Sequence, residues 1–157
     1  RDVAELEERL SRPDDAVVDA LRRCPGDIVV LGAGGKMGPS LARMLRRAAD
    51  RLDDARRVVA VSRFGAADAA DALQKAGVET IRCDLLDRHA VARLPDAPNV
   101  FHLAGQKFGT RSHPSHTWAM NTWVPALCAE RYAGSRAAVF STGNVYALTP
   151  ARTRLSR

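Results

Sequence analysis

The stretch Gly32-Ala33-Gly34-Gly35-Lys36-Met37-Gly38 is where this sequence most plainly suggests chemistry. It follows an apolar run, Asp27-Ile28-Val29-Val30-Leu31. It precedes a segment in which Leu41, Met44, Leu45 and Ala48 recur at helical spacing. A glycine-rich turn between a strand and a helix leaves backbone N–H groups bare at the positive end of the helix. That is a seat for a diphosphate. Gly32 permits the tight turn, Gly35 lets the backbone approach a pyrophosphate, and Gly38 lets helix and strand pack closely. Lys36 and Met37 complete the contact surface. The spacing is G-x-x-G-x-x-G, because position 37 is Met rather than Gly. A tight turn with no ligand is the structural alternative. A nucleoside triphosphate loop is excluded, since it needs Gly at position 30 and Ser or Thr at 37, where the chain has Val30 and Met37.

Two further strand ends carry candidate groups. Val61-Ser62-Arg63-Phe64 has no carboxylate where an acid would bond the adenosine ribose of NAD. Arg63 can instead pair with a 2′-phosphate and Ser62 can donate to it, which favours NADP over NAD. The alternative is that Arg63 is an exposed loop cation. In Cys83-Asp84-Leu85, Asp84 can accept from an adenine amino group while Leu85 packs on the ring; a helix cap is the other reading of Asp84. Cys24, Cys83 and Cys128 lie far apart and form no CxxC pair, as expected of reduced thiols in a cytoplasmic protein. His113 and His116 have no Cys or carboxylate nearby, so no metal site is expected.

These residues need a scaffold. Apolar, β-branched runs at 27–31, 57–61, 78–83, 99–103 and 137–141 read as strands. Helical patterns cover 38–50, 66–76, 87–94 and 115–131, with Pro125 set to kink or break the last. Alternation of this kind predicts βαβ units and a parallel sheet with right-handed crossovers. The expected fold is α/β: a doubly wound sheet of order 3-2-1-4-5 in three αβα layers, spanning residues 27–157. Residues 1–26 read as an N-terminal helical extension of two helices, 3–10 and one that begins near Pro13-Asp14-Asp15 and ends at Cys24-Pro25-Gly26.

Composition narrows the function further. The chain has 157 residues, 46% hydrophobic and 27% charged, which suits a globular domain. No apolar run approaches a membrane span, and no signal-peptide pattern opens the sequence, so a cytoplasmic location is expected. The net charge of +6 raises nucleic acid as a partner. Yet the arginines are scattered, and Arg43, Arg46 and Arg47 fall on what reads as a solvated helix face. With 2 Trp, 2 Tyr and 4 Phe there is no aromatic–basic interleaving, so nucleic acid is not expected. The same field would attract an anionic cofactor.

The glycine turn, Asp84-Leu85, His102-Leu103-Ala104-Gly105, Asn121 and Phe140-Ser141-Thr142-Gly143-Asn144-Val145-Tyr146 occur in an order that resembles the extended short-chain dehydrogenases/reductases of the NAD-dependent epimerase/dehydratase type. The likeness runs over about residues 27–148 and implies a Rossmann fold. It implies that Leu103, Ala104 and Gly105 line the cofactor and that Asn121 supports the site. It puts Thr142 at the catalytic Ser/Thr position, with Ser141 as the alternative. Lys107 could reach a phosphate or ribose, although the family pattern does not require it. The implied chemistry is hydride transfer at a carbinol carbon: a Tyr is general acid/base, a Lys lowers its pKa, and the Ser/Thr bonds the reacting oxygen. The implied substrate is a small molecule, a nucleotide sugar or similar carbinol, and a homodimer is one assembly it allows. The chain departs from the family in its first 26 residues and in the Tyr-x-x-x-Lys pair. That pair belongs further beyond Thr142 than this sequence extends, and Tyr146 does not replace it, because its +4 residue is Pro150. The expectation is therefore the NADP- or NAD-binding portion of an epimerase, dehydratase or reductase, inactive by itself. A non-catalytic NAD(P)-sensing module is the alternative.

Overall fold

The computed structural model describes residues 2–65, 67–107 and 112–141, at Ala4, Ala67 and Asp68 the backbone alone. Five strands form one parallel sheet: β1 (Ile28–Leu31), β2 (Val58–Ser62), β3 (Glu79–Arg82), β4 (Asn99–His102) and β5 (Arg136–Val139). Their order is β3-β2-β1-β4-β5, the doubly wound arrangement expected from the alternation of strands and helices.

Strand β1 explains why the sheet has two covered faces. All four of its residues are fully buried. Ile28 and Val30 join one apolar cluster with Ala42, Leu45 and Ala48 of α3 (Gly38–Arg51) and Leu73 of α4 (Ala67–Lys75). Val29 and Leu31 join the opposite cluster with Val91 of α5 (Arg88–Ala92) and Val124, Leu127 and Cys128 of α7 (Val124–Arg131). Each such aliphatic side chain contributes roughly 1.5–3 kcal/mol by leaving water. The layers are therefore α, β and α.

The N-terminal helices α1 (Val3–Leu10) and α2 (Asp15–Arg23) are capped by Asp2 and Asp14, whose side chains accept the Glu5 and Val17 N–H groups. Val18 and Leu21 of α2 sit in the same apolar cluster as Ile28. Arg56, 5% exposed, donates to the Leu21 and Cys24 carbonyls and pairs with Asp54, tying the end of α2 to the start of β2. These helices overturn one expectation. Arg43, Arg46 and Arg47 do not form a solvated face. Arg43 pairs with Glu7, and Arg47 bonds Ser11 Oγ at 2.8 Å and Glu8 at 2.6 Å. Arg46, its side chain 14% exposed, bonds Asp50 and the Asp54 and Arg56 carbonyls. A helical pattern shows which residues share a face; it does not show that α1 lies across it.

The segment from 114 to 131 is continuous: α6 (Pro114–Trp118), a π-helical turn (Ala119–Trp123) and α7. Pro125 neither breaks nor sharply ends it. The strain is taken up in the wider turn just ahead, where the Val124 N–H reaches back to the Ala119 carbonyl. Pro125 has no N–H for the Asn121 carbonyl and its ring would crowd that group in a regular α-helix. Strand β5, at the sheet edge, is exposed along its whole length.

Candidate functional site

The candidate groups fall together because all five strands are parallel and end on one side of the sheet, each followed by a loop that carries some of them. The crevice lies where strand order reverses, between β1 and β4. Gly32, the first residue past β1, has φ +82°, a left-handed conformation suited to glycine. A Cβ there would come within 2.6 Å of the Ala104 nitrogen and 2.8 Å of its Cα. The loops after β1 and β4 therefore touch backbone to backbone. At Gly38 a Cβ would collide with the Ala33 carbonyl, with Ala33 C and Cα at 2.5 Å. This glycine sets the close seat of α3 on the strand end.

Gly35 is different. An added Cβ there meets only the Gly32 carbonyl oxygen, at 3.4 Å. Space above the turn is thus open, although the Gly35 N–H itself bonds Gly32 O at 3.1 Å. Among the described residues, the N–H groups of Lys36, Met37 and Gly38 have no protein partner. Met37 is 56% exposed at the N-cap of α3, where no side chain caps the helix and no acid occupies the first turn. An open backbone rim with free donors at the positive end of a fourteen-residue helix is suited to an anion.

On the adenosine side, Ser62 is the last residue of β2 and Arg63 is exposed just beyond it. Gly34 lies against Ser62: a Cβ on Gly34 would strike Ser62 Oγ and sit 3.1 Å from its Cβ. That contact went unnoticed in the sequence, where only the repeated glycines could have signalled it. Phe64 has φ +43° and is 3% exposed, so the loop turns sharply inward after Arg63. A bulky residue in that region is uncommon, and it is held here by burial in the α3–α4 core.

After β3, Asp84 does not cap the helix. Its Oδ1 accepts the Leu86 N–H at 3.0 Å, and Asp87 caps α5 instead, through His89 and Ala90. Leu85 is 6% exposed and belongs to the core. It packs in the cluster that α5 and α7 cover.

After β4, Leu103 and Ala104 are half-buried and Gly105, Gln106 and Lys107 continue the loop. Asn121 projects from the π-helical turn onto it. Its Oδ1 accepts the Gln106 N–H at 2.7 Å and its Nδ2 donates to the Gln106 carbonyl at 3.0 Å. Gly105 completes the fit, since a Cβ there would be 3.3 Å from Asn121 Oδ1. His102, the last residue of β4, is 5% exposed with neither ring nitrogen hydrogen-bonded among the described residues. Burial lowers its pKa, opposed only by the Ala104 backbone. Ser141 is exposed beyond β5. Thr142 and Tyr146 lie outside the described residues. Among the described residues no group of three or more His, Cys, Asp or Glu side chains could hold a metal ion. No described helix is long and apolar enough to cross a membrane.

The fold and this edge of the sheet define a doubly wound α/β protein of the Rossmann type. Residues 28–155 match the NAD dependent epimerase/dehydratase family, and the chain belongs to that family. Membership implies a nicotinamide cofactor. A solved structure described as an A1-type ketoreductase is similar at 34% sequence identity, over 54% of this chain and 20% of that one, with a TM-score of 0.39. The chain thus spans about a fifth of that protein's length. No curated protein matches.

Proposed function

We propose that this chain holds NADP, or less favourably NAD, for hydride transfer to or from a carbinol carbon of a small substrate such as a nucleotide sugar. The observation that carries the reading is the open backbone at Gly35 beside the free N–H groups of Lys36, Met37 and Gly38. The pyrophosphate rests there, on backbone amides and the α3 dipole. Ser62 and Arg63 take the adenosine ribose and its 2′-phosphate. The Asp84 carboxylate and the Leu85 backbone face the adenine. Leu103, Ala104 and Gly105 line the nicotinamide half, with Lys107 within reach of a phosphate or ribose and Asn121 bracing the loop.

The cofactor, when bound, accepts or delivers the hydride. The chain's own part is to orient it. Thr142, with Ser141 beside it, is the group that hydrogen-bonds the reacting oxygen.

Titration of the full chain with NADPH and NADH, followed by the change in dinucleotide fluorescence, tests the reading. Saturable binding that is lost in Gly35→Val is expected. A folded chain that leaves both fluorescence signals unchanged at millimolar dinucleotide rejects it.

A further inference from the structure

The register between β2 and β3 brings a second guanidinium to the place proposed for the 2′-phosphate. Ser62 and Arg82 are Cα partners in the parallel ladder, so their strands run about 4.8 Å apart there. Directly paired residues on neighbouring strands send their side chains to the same face. For Ser62 that face is the one Gly34 abuts. Two residues before Arg82 on the same strand face, Thr80 takes a hydrogen bond from Gln74 of α4. Ile81 and Cys83, between and beyond, turn into the opposite cluster. Arg82 therefore rises beside Ser62, on the side where the glycine turn and the N-terminus of α3 lie.

The electrostatics at the two ends of these strands differ. At the starting end Arg57 is neutralised by Glu79 and Asp27. At the finishing end Arg63 and Arg82 are both exposed, and among the described residues neither has a carboxylate or any other partner. The nearest acid in sequence, Asp84, turns its Oδ1 to the Leu86 N–H. Two uncompensated arginines, one next to Ser62 in the chain and one paired with it across the ladder, match a phosphate monoester dianion, which takes charge-assisted bonds from planar donors.

We propose that Arg82, from the third strand, acts with Arg63 as a specificity-determining residue for NADP, the two guanidiniums holding the 2′-phosphate with Ser62 between them. The preference is then set across two strands rather than at the end of β2 alone. This rests on the reading of the glycine turn as a dinucleotide site.

The test is dissociation constants of the full chain for NADPH and NADH, in wild type, Arg82→Ala and Arg82→Lys. Arg82 is exposed, so all three should share one thermal midpoint. Arg82→Ala should weaken NADPH by roughly tenfold or more, the worth of one charge-assisted bond, and leave NADH unchanged. Arg82→Lys should recover part of the loss. The free ligands 2′,5′-ADP and 5′-AMP should repeat the pattern without the nicotinamide. Equal weakening of both dinucleotides, or none, overturns the role of Arg82. Wild-type protein that binds NADH and NADPH equally overturns the phosphate subsite but leaves the dinucleotide reading standing. Wild type that binds neither removes both.

Discussion

The side-chain amide of Asn121 is bonded in both directions to the backbone of Gln106, accepting at 2.7 Å and donating at 3.0 Å. Two residues fifteen apart in sequence thus mimic one rung of a sheet, and the loop after β4 is tied to the π-helical turn.

The first prediction concerns that rung and the π-helical turn behind it. Asn121→Asp keeps the acceptor and loses the donor; Asn121→Ala loses both. Each lost bond should cost about 1 kcal/mol of stability, and cofactor affinity should fall more steeply in the alanine variant. Pro125→Ala restores an N–H for the Asn121 carbonyl, so the wide turn should tighten and draw Asn121 off the loop. Hydrogen exchange at the Gln106 amide reads this directly. An amide as protected in Pro125→Ala as in wild type would show that the turn does not depend on the proline.

Gly35 and Gly38 should separate binding from stability. Gly38→Ala forces a Cβ into the Ala33 backbone and should lower unfolding free energy by about 1–3 kcal/mol. Gly35→Ala enters open space and should change stability by no more than about 0.5 kcal/mol, while weakening NADPH. Chemical denaturation and dinucleotide titration of both variants give the comparison. A Gly35→Ala variant with unaltered affinity contradicts the placement of the pyrophosphate.

His102 should make the fold acid-sensitive. Burial holds its folded-state pKa below the ordinary imidazole value of about 6.5. The unfolded chain then binds its proton first as pH drops. Stability is full above that value and is lost as pH falls through it toward the folded pKa. Asp54, held low mainly by its hydrogen bond from Arg56, adds a separate loss at more acidic pH, below the usual carboxylate value. His102→Gln should flatten the upper part of the stability–pH curve and leave the lower part. If the two curves run parallel from pH 7 to 5, burial of the imidazole is not the cause.

Thiol labelling should report the second core cluster. Burial pushes the Cys128 thiol up to about 11, and Cys83 is raised by burial and by Asp84. At pH 8 the Cys128 thiolate is then on the order of one part in a thousand, and both sulfurs are buried. Native protein should take one equivalent of iodoacetamide, at Cys24, and three after unfolding. Rapid native labelling at Cys128 would mean that α7 opens readily.

Much of the fold is written in short stretches of chain. The Ile28–Leu31 run, the glycines that follow it and the spacing of Ala42, Leu45 and Ala48 identify strand, turn and helix without reference to anything distant. Alternation and handedness then leave β3-β2-β1-β4-β5 as the natural order. For the same reason candidate site residues can be named from sequence: all but Asn121 lie at or just past a strand end, and strand ends are legible.

What the residues do to one another was decided by pairings between remote segments. Periodicity puts Arg47 on a helix face; only the docking of α1 makes it a partner of Glu8 and Ser11. Leu85 is apolar and follows Asp84, yet only the enclosure of the second cluster shows that its side chain serves the core. Arg82 reads as one more exposed cation until strand register sets it beside Ser62. Local propensity acts over a few residues, whereas register and helix docking depend on which distant surfaces exclude water together. That choice belongs to the folded chain as a whole.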